Sequence, residues 1–131
     1  PKRGEKRALV EMAEANARAC FLAQRDEAAL REKTLLEMQE LLHLANYPSR
    51  IECFDNSHLA GSQPVAALVA FTEGVKDSKR YRTFGLSQGE PGDDYGAMRE
   101  VLRRRYRRAK EENDLPDLVV VDGGKGQLSA A

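Results

Sequence analysis

The run Leu118-Val119-Val120-Val121 passes without a break into Asp122-Gly123-Gly124-Lys125-Gly126-Gln127. An apolar run rich in valine predicts a strand buried on both faces inside a sheet. The run ends on a carboxylate, and the glycines behind it let the backbone turn tightly beside whatever that carboxylate holds. Ile51-Glu52-Cys53-Phe54-Asp55 is a second short β-prone run that finishes on aspartate, followed by the polar Asn56-Ser57-His58. Two strands that each deliver an aspartate point to a metal site.

The chain has 131 residues, enough for one modest core and not for two. Its 21 basic and 21 acidic residues cancel. Bulk charge therefore predicts no affinity for nucleic acid, and any such affinity must come from local clustering. Cys20 and Cys53 lie far apart in sequence and form neither a CxxC pair nor a disulfide framework, which fits a reducing cytosol. No apolar stretch approaches the ~20 residues that span a bilayer, and no signal peptide is visible. A cytoplasmic protein without a membrane partner is expected. The opening on Pro1 and the close in Leu128-Ser129-Ala130-Ala131 predict that both ends are cut from something longer.

Residues 4 to 45 hold no proline and, after Gly4, no glycine, and they are rich in Ala, Leu, Glu, Arg and Lys. That composition is strongly helical. Leu9, Met12, Cys20, Ala23, Leu30, Met38 and Leu42 fall on one stripe that Glu27 interrupts. Unbroken, such a helix would be roughly 60 Å long at ~1.5 Å per residue, too long to lie on one small domain. It either bends near Gln24 to Ala29 or projects as a connector. Its plain reading is a packing helix without chemistry.

Pro48 closes this region, because proline disfavours a helical residue before it. Beyond it the pattern changes. Strands are expected at Ile51 to Asp55, Pro64 to Phe71 and Arg80 to Leu86, with Glu73-Gly74 as a turn, and short links favour antiparallel pairing. A polar loop, Ser87 to Gly92, leads to a helix from about Asp94 to Glu112, and Pro116 introduces the Leu118 to Asp122 strand. A strand reached through a helical crossover is expected to lie parallel to an earlier one. The expected fold is α/β, a mixed sheet of three antiparallel strands, a helix and a parallel strand. Residues 1–46 form a helical connector and residues 47–131 the sheet-bearing domain.

Periodicity separates the aspartates of Pro91-Gly92-Asp93-Asp94-Tyr95. With Met98 at 0°, Val101 (about 300°), Ala109 (about 20°) and Leu102 (about 40°) define the apolar face by the 3.6-residue repeat. Asp94 falls near it at about 320°, whereas Asp93 at about 220° points away and suits the N-cap. Asp94 is the better third carboxylate. Its alternative reading is an acidic residue favoured by the helix dipole.

Arg103-Arg104-Arg105-Tyr106-Arg107-Arg108 is the obvious basic cluster. Arg104 can pair with Glu100, Arg107 with Glu111 and Arg108 with Glu112 at i,i+4, which makes a solvated, salt-bridged face. A DNA-phosphate surface is the alternative, and it would make binding salt-dependent. Arg105 differs, because at about 340° it sits within the apolar stripe. It needs a partner there, either a site carboxylate or a substrate phosphate.

Two ionised carboxylates about 4 Å apart repel by ~4 kcal/mol at an effective dielectric of ~20, so a proton or cation must compensate a cluster of them. Oxygen ligands from aspartate favour Mg²⁺ or Mn²⁺ over zinc, and a Mg²⁺ held by few carboxylates keeps the open positions that phosphoryl chemistry uses. A purely structural aspartate at a strand end is the alternative. Ser57 and His58 have no acid ready to complete a triad, so His58 reads as a polar group flanking the site. Gly123-Gly124-Lys125-Gly126 lacks the P-loop spacing, which leaves Lys125 as a phosphate contact.

The Ile51 to His58 motif, Pro91-Gly92-Asp93-Asp94-Tyr95 and Asp122-Gly123-Gly124-Lys125-Gly126-Gln127, in this order, resemble the UvrC family, the excinuclease component of bacterial nucleotide excision repair. Arg3-Gly4-Glu5-Lys6-Arg7 and the helical stretch to Ala19 resemble the segment that precedes the family's C-terminal nuclease domain. The resemblance covers essentially all 131 residues. It implies an RNase H-like fold that incises damaged double-stranded DNA 5′ to the lesion with a divalent metal, Mg²⁺ or Mn²⁺. Carried over by motif, the catalytic and metal-binding residues are Asp55, Asp94 and Asp122, with Arg105, Lys125 and His58 as substrate-side candidates.

In the family, a histidine well downstream of the DGGKGQ motif completes the site, and a last strand and further helices follow. The resemblance therefore implies a domain truncated at its C-terminus, with little cleavage by itself. UvrB is the implied partner of the longer protein, through a segment that matches nothing here. Two rival readings accompany this one. The first is a catalytically silent nucleic-acid-binding or scaffolding module with an RNase H-like core. The second is an assembly element that self-associates through residues 4 to 45.

Overall fold

The computed structural model describes residues 2–57, 65–86 and 93–131, leaving aside the side chains of Lys2, Arg3, Asn56, Ser57 and Asp94. The expected loop Ser87 to Gly92 lies outside the described residues, as does Pro64. Helix α1 (Lys2–Leu41) is one continuous helix of 40 residues, without the break that was one of the two expectations near Gln24 to Ala29. Every residue from 4 to 30 is exposed. Strong helix formers sustain it, helped by exposed i,i+4 pairs such as Arg7–Glu11 at 2.9 Å, each worth a few tenths of a kcal/mol (~0.3–0.5). The helix meets the body only near its end, where Leu35 is 4% exposed and the Arg31 stem lies against Gly74. It stops in a left-handed turn at His43 (φ 52°). There the Leu44 N–H donates to the Gln39 carbonyl at 2.9 Å, which satisfies one of the last free carbonyls.

Among the described residues the sheet has five strands. β1 (Arg50–Ser57) and β2 (Val65–Thr72) pair antiparallel over their full length, from Arg50↔Thr72 to Ser57↔Val65. β3 (Val75–Lys76) and β4 (Arg82–Gly85) both lie along the other side of β2. The expected single strand over Arg80 to Leu86 is thus shorter, and a 3-10 turn at Ser78–Arg80 precedes it. Asp77 is the cause. Its N–H donates to the Ala70 carbonyl at 2.9 Å, and its carboxylate accepts from Thr72 Oγ1 at 2.8 Å and pairs with Arg80 at 3.3 Å. This lifts one turn of chain off the edge before β4 returns to it.

Helix α2 (Asp94–Glu111) crosses over to β5 (Leu118–Val121), which pairs parallel with β1 from Ile51↔Leu118 to Phe54↔Val121. A short helix α3 (Lys125–Ala130) follows. The parallel crossover is as expected, but β5 is not buried on both faces. It is an edge strand among the described residues, with Val119 39% and Val120 43% exposed. An edge strand has one neighbour, and α2 covers only one face of the sheet.

The core lies between that face and α2. Phe54, Ala66, Leu68, Leu86, Met98, Val101 and Leu102 form one buried cluster, with Phe84, Tyr106 and Val121 packed against it. The helical stripe read from the sequence is the stripe that is buried. Each fully buried Phe, Leu, Met or Val side chain here stabilises the fold by about 1.5–3 kcal/mol. Asp93 caps α2 as expected, accepting from the Gly96 N–H at 2.9 Å.

Candidate active site

Strand alternation decides where the aspartates point. Phe54 and the fully buried Glu52 face α2, so Cys53 and Asp55 face the opposite side of the sheet. On β5, Val121 packs toward the core and Asp122 takes the same side as Asp55. The two aspartates directly follow the paired residues Phe54 and Val121. The Asp122 N–H extends the ladder by donating to the Phe54 carbonyl at 3.1 Å. Adjacent strands lie ~4.8 Å apart, and both carboxylates line one shallow cavity floored by Cys53, Ala67, Val69 and Val120. β1 runs on past Asp55, which pairs with Ala67 of β2. Asp55 is therefore inside its strand and Asp122 just beyond the end of its own.

Both aspartates are exposed, and among the described residues neither carboxylate has a hydrogen-bond or ion-pair partner. Burial pushes the neighbouring Cys53 thiol up from its ordinary value, which keeps it neutral in the apolar floor.

The third motif opens α2, beside the start of α3. Tyr95 lies over Gly126, where an added Cβ would stand 2.4 Å from the phenol oxygen, so the first turn of α2 touches the start of α3. Asp94 opens that turn. Its side chain lies outside what is described, as does His58 altogether. Gly123 shapes the corner after Asp122. Its φ of 143° is one that L side chains rarely adopt, and a Cβ there would meet Gln127 Cγ at 2.3 Å. Gln127, missed as a site residue in the sequence, packs against this corner with a buried Oε1 that has no hydrogen-bond partner among the described residues. Lys125 is exposed three positions beyond Asp122. Among the described residues no three His, Cys, Asp or Glu side chains gather into a metal-binding group. What is described is a pair of carboxylates, an oxygen donor set that suits Mg²⁺ or Mn²⁺ better than zinc.

Arg105 stands elsewhere. It is tied to the opposite face of the sheet by Glu52, at 2.6 and 3.2 Å, and to Asp114 at 3.2 Å. Its needed partner is therefore Glu52, not a site carboxylate, and its donors are committed within the fold. Tyr106 donates to the same Glu52 at 3.0 Å. Burial first, then the Glu52 charge, push its phenol far above the ordinary value, so it remains a donor. Glu52 was not singled out in the sequence, although it alternates in phase with Phe54 and so had to meet α2. Asp114 also pairs with Arg50 and, at 3.0 Å, with Arg80. Burial would raise its carboxyl, but hydrogen bonds from Arg50, Arg80 and Arg105 prevail and hold it at about 2. Of the pairs expected along α2, Arg104–Glu100 (3.8 Å) and Arg108–Glu112 (2.8 Å) form.

A mixed sheet with a parallel β1–β5 pair, a crossover helix on one face and aspartates on the other, one inside β1 and one just past β5, defines an RNase H-like domain. Residues 39–131 match the family model described as the UvrC RNAse H endonuclease domain. The whole chain is 72% identical to UvrABC system protein C of Protochlamydia amoebophila, where it covers 22% of that protein. It is 48% identical to the same protein of Desulforapulum autotrophicum, covering 21% of it, and 43% identical to that of Methanospirillum hungatei, covering 24%. The chain belongs to the UvrC RNase H endonuclease domain family. It spans about a fifth of the length of these curated relatives.

Proposed function

We propose that this chain is the portion of a metal-dependent DNA endonuclease that carries the metal-binding aspartates Asp55, Asp94 and Asp122, and that the enzyme incises damaged double-stranded DNA 5′ to a lesion during nucleotide excision repair. One observation carries the reading: Asp55 and Asp122 stand side by side on β1 and β5, line one cavity and have no protein partner among the described residues. Neighbouring like charges persist at such a place when a cation compensates them. Bound Mg²⁺ or Mn²⁺ would supply a Lewis acid and a water of lowered pKa for phosphodiester hydrolysis.

The chain's own residues do the rest. Asp55 and Asp122 hold and orient the ion, and Asp94 adds a carboxylate from the first turn of α2. Lys125 meets a substrate phosphate, and His58 flanks the site. Gly123 fixes the angle at which Asp122 leaves β5. Arg105 serves the fold. In the longer protein UvrB is the partner, and the cytoplasm is the setting; no helix among the described residues is long and apolar enough to cross a membrane.

The test is Asp55→Asn and Asp122→Asn in the full-length protein. Each should abolish the 5′ incision while leaving folding and DNA binding intact. Retained incision in either variant would remove that residue from the catalytic role, and an Mn²⁺ titration unaffected by both would favour a silent binding module.

A further inference from the structure

The chain is neutral overall, but its charge is unevenly spread. Residues 78–110 hold ten of the 21 basic residues and only four of the 21 acidic ones. The fold gathers much of this excess into one cleft. β4 and the C-terminal half of α2 form its walls, and Arg80, Arg82, Phe84, Arg104, Arg105 and Arg108 line it. The cleft lies on the α2 side of the sheet, away from the face that carries Asp55 and Asp122.

The arginines divide by how they are held. Arg80 and Arg105 are bound to Asp114 and form the floor. Arg82 donates to the carbonyls of Lys79 and Tyr81 at 2.8 and 2.7 Å, which fixes its guanidinium without neutralising it. Arg104 is 53% exposed, donates to the Gly85 carbonyl at 2.9 Å and sits 5.8 Å from the Phe84 ring centre, with Glu100 only at 3.8 Å. Arg108 is 78% exposed and pairs with Glu112 at the solvent edge. Asp114 and Glu112 line the cleft, and Glu52, Asp77 and Glu100 pair with Arg105, Arg80 and Arg104 from outside it; the exposed pairs of Arg104 and Arg108 are worth little in solvent and yield to a phosphate. Guanidiniums pre-positioned by backbone carbonyls and an aromatic ring have donors left for phosphate oxygens at little further entropic cost.

We propose that this cleft is a second contact for the phosphate backbone of duplex DNA, separate from the carboxylate pair, with Arg82, Arg104 and Arg108 as its phosphate ligands. The choice of DNA as ligand rests on the endonuclease reading; the cleft itself does not depend on the metal. Arg104 and Arg108 stand one turn apart on the same helix face, ~5–6 Å between Cβ atoms, so they can engage separate phosphates. Between Tyr95 in its first turn and Arg108, α2 rises ~20 Å. That length matches about 6 base pairs at ~3.4 Å each. The cleft therefore grips the duplex well away from the bond to be cut and adds affinity without base specificity.

The test is fluorescence anisotropy of a labelled undamaged duplex, longer than about 10 base pairs, binding to this chain over a salt series. It compares the wild-type chain with Arg82→Gln/Arg104→Gln/Arg108→Gln, and circular dichroism verifies the fold of both. The substituted side chains are exposed and outside the Glu52–Arg105–Asp114 network. The triple variant should bind at least ~10-fold more weakly, and its log–log salt slope should be shallower by about 2–3, near 0.9 per phosphate lost. Asp55→Asn/Asp122→Asn should keep the wild-type slope even if it binds no Mn²⁺, so the cleft and the metal reading fail separately. A triple variant with wild-type affinity and slope would overturn the proposal. So would polyglutamate displacing the duplex as effectively as unlabelled duplex does, because the cleft would then be an acidic-protein site.

Discussion

Replacing Arg105 with methionine removes the one cation that touches Glu52 among the described residues. Glu52 is fully buried, and its remaining described partner is the Tyr106 hydroxyl at 3.0 Å. Breaking a buried ion pair by deleting one member costs about 3–5 kcal/mol, because the other charge stays behind without compensation. That is a large share of the ~5–15 kcal/mol total for a domain. With a urea m-value of ~2 kcal/mol/M for a chain of this size, the unfolding midpoint should fall by about 1.5–2.5 M. The triple variant Glu52→Leu/Arg105→Met/Tyr106→Phe removes the charge, its partner and the orphaned hydroxyl together. It should recover at least half of the loss, since a well-packed apolar replacement of a buried pair is often neutral or stabilising. Urea unfolding followed by far-UV circular dichroism reads both. An Arg105→Met midpoint within ~0.5 M of wild type, or a triple variant no more stable than the single one, would refute a buried ion pair as the clamp between β1 and α2.

Asp114 gives stability a dependence on pH. Its folded carboxyl is held at about 2 against an ordinary 3.8, so its contribution is fully present above pH ~4 and is lost as pH falls toward ~2. Allowing for its partial exposure, this is about 1–2 kcal/mol, and the stability gap between wild type and Asp114→Asn should close over that window in urea titrations at successive pH values. Gly123→Ala, at φ 143° and against Gln127, should destabilise the corner after Asp122 by about 1–3 kcal/mol. Gly124→Ala, which meets nothing within 4 Å, should leave thermal unfolding nearly unchanged.

Local patterns carried most of this fold. The stripe of Met98, Val101, Leu102 and Ala109 needed only the helical repeat, and the parallel β1–β5 pair followed from a helix between two strands. The same repeat separated Asp93 from Asp94 and found Asp93 as the cap. It also marked Arg105 as requiring a partner, but it could not supply Glu52, because that partner comes from a strand 53 residues away. Burial of β5 was misread for a related reason. A valine run reports a strand, not how many neighbours cover it, and here Val119 and Val120 lie on an edge. The break between β3 and β4 depended on Asp77 binding Thr72 and Arg80, contacts that alternation does not encode. The stripe on α1 fits a helix but says nothing of what it meets, and residues 4 to 30 are exposed along their whole length.

The most direct measurement is Mn²⁺ titration of the chain, read by electron paramagnetic resonance of the free ion, for wild type, Asp55→Asn, Asp122→Asn and the double variant. Wild type should take up Mn²⁺ at a site that each single substitution weakens at least ~10-fold, a loss of ~1.4 kcal/mol or more, and that the double variant lacks. Equal Mn²⁺ uptake by wild type and the double variant would contradict a cation held between β1 and β5.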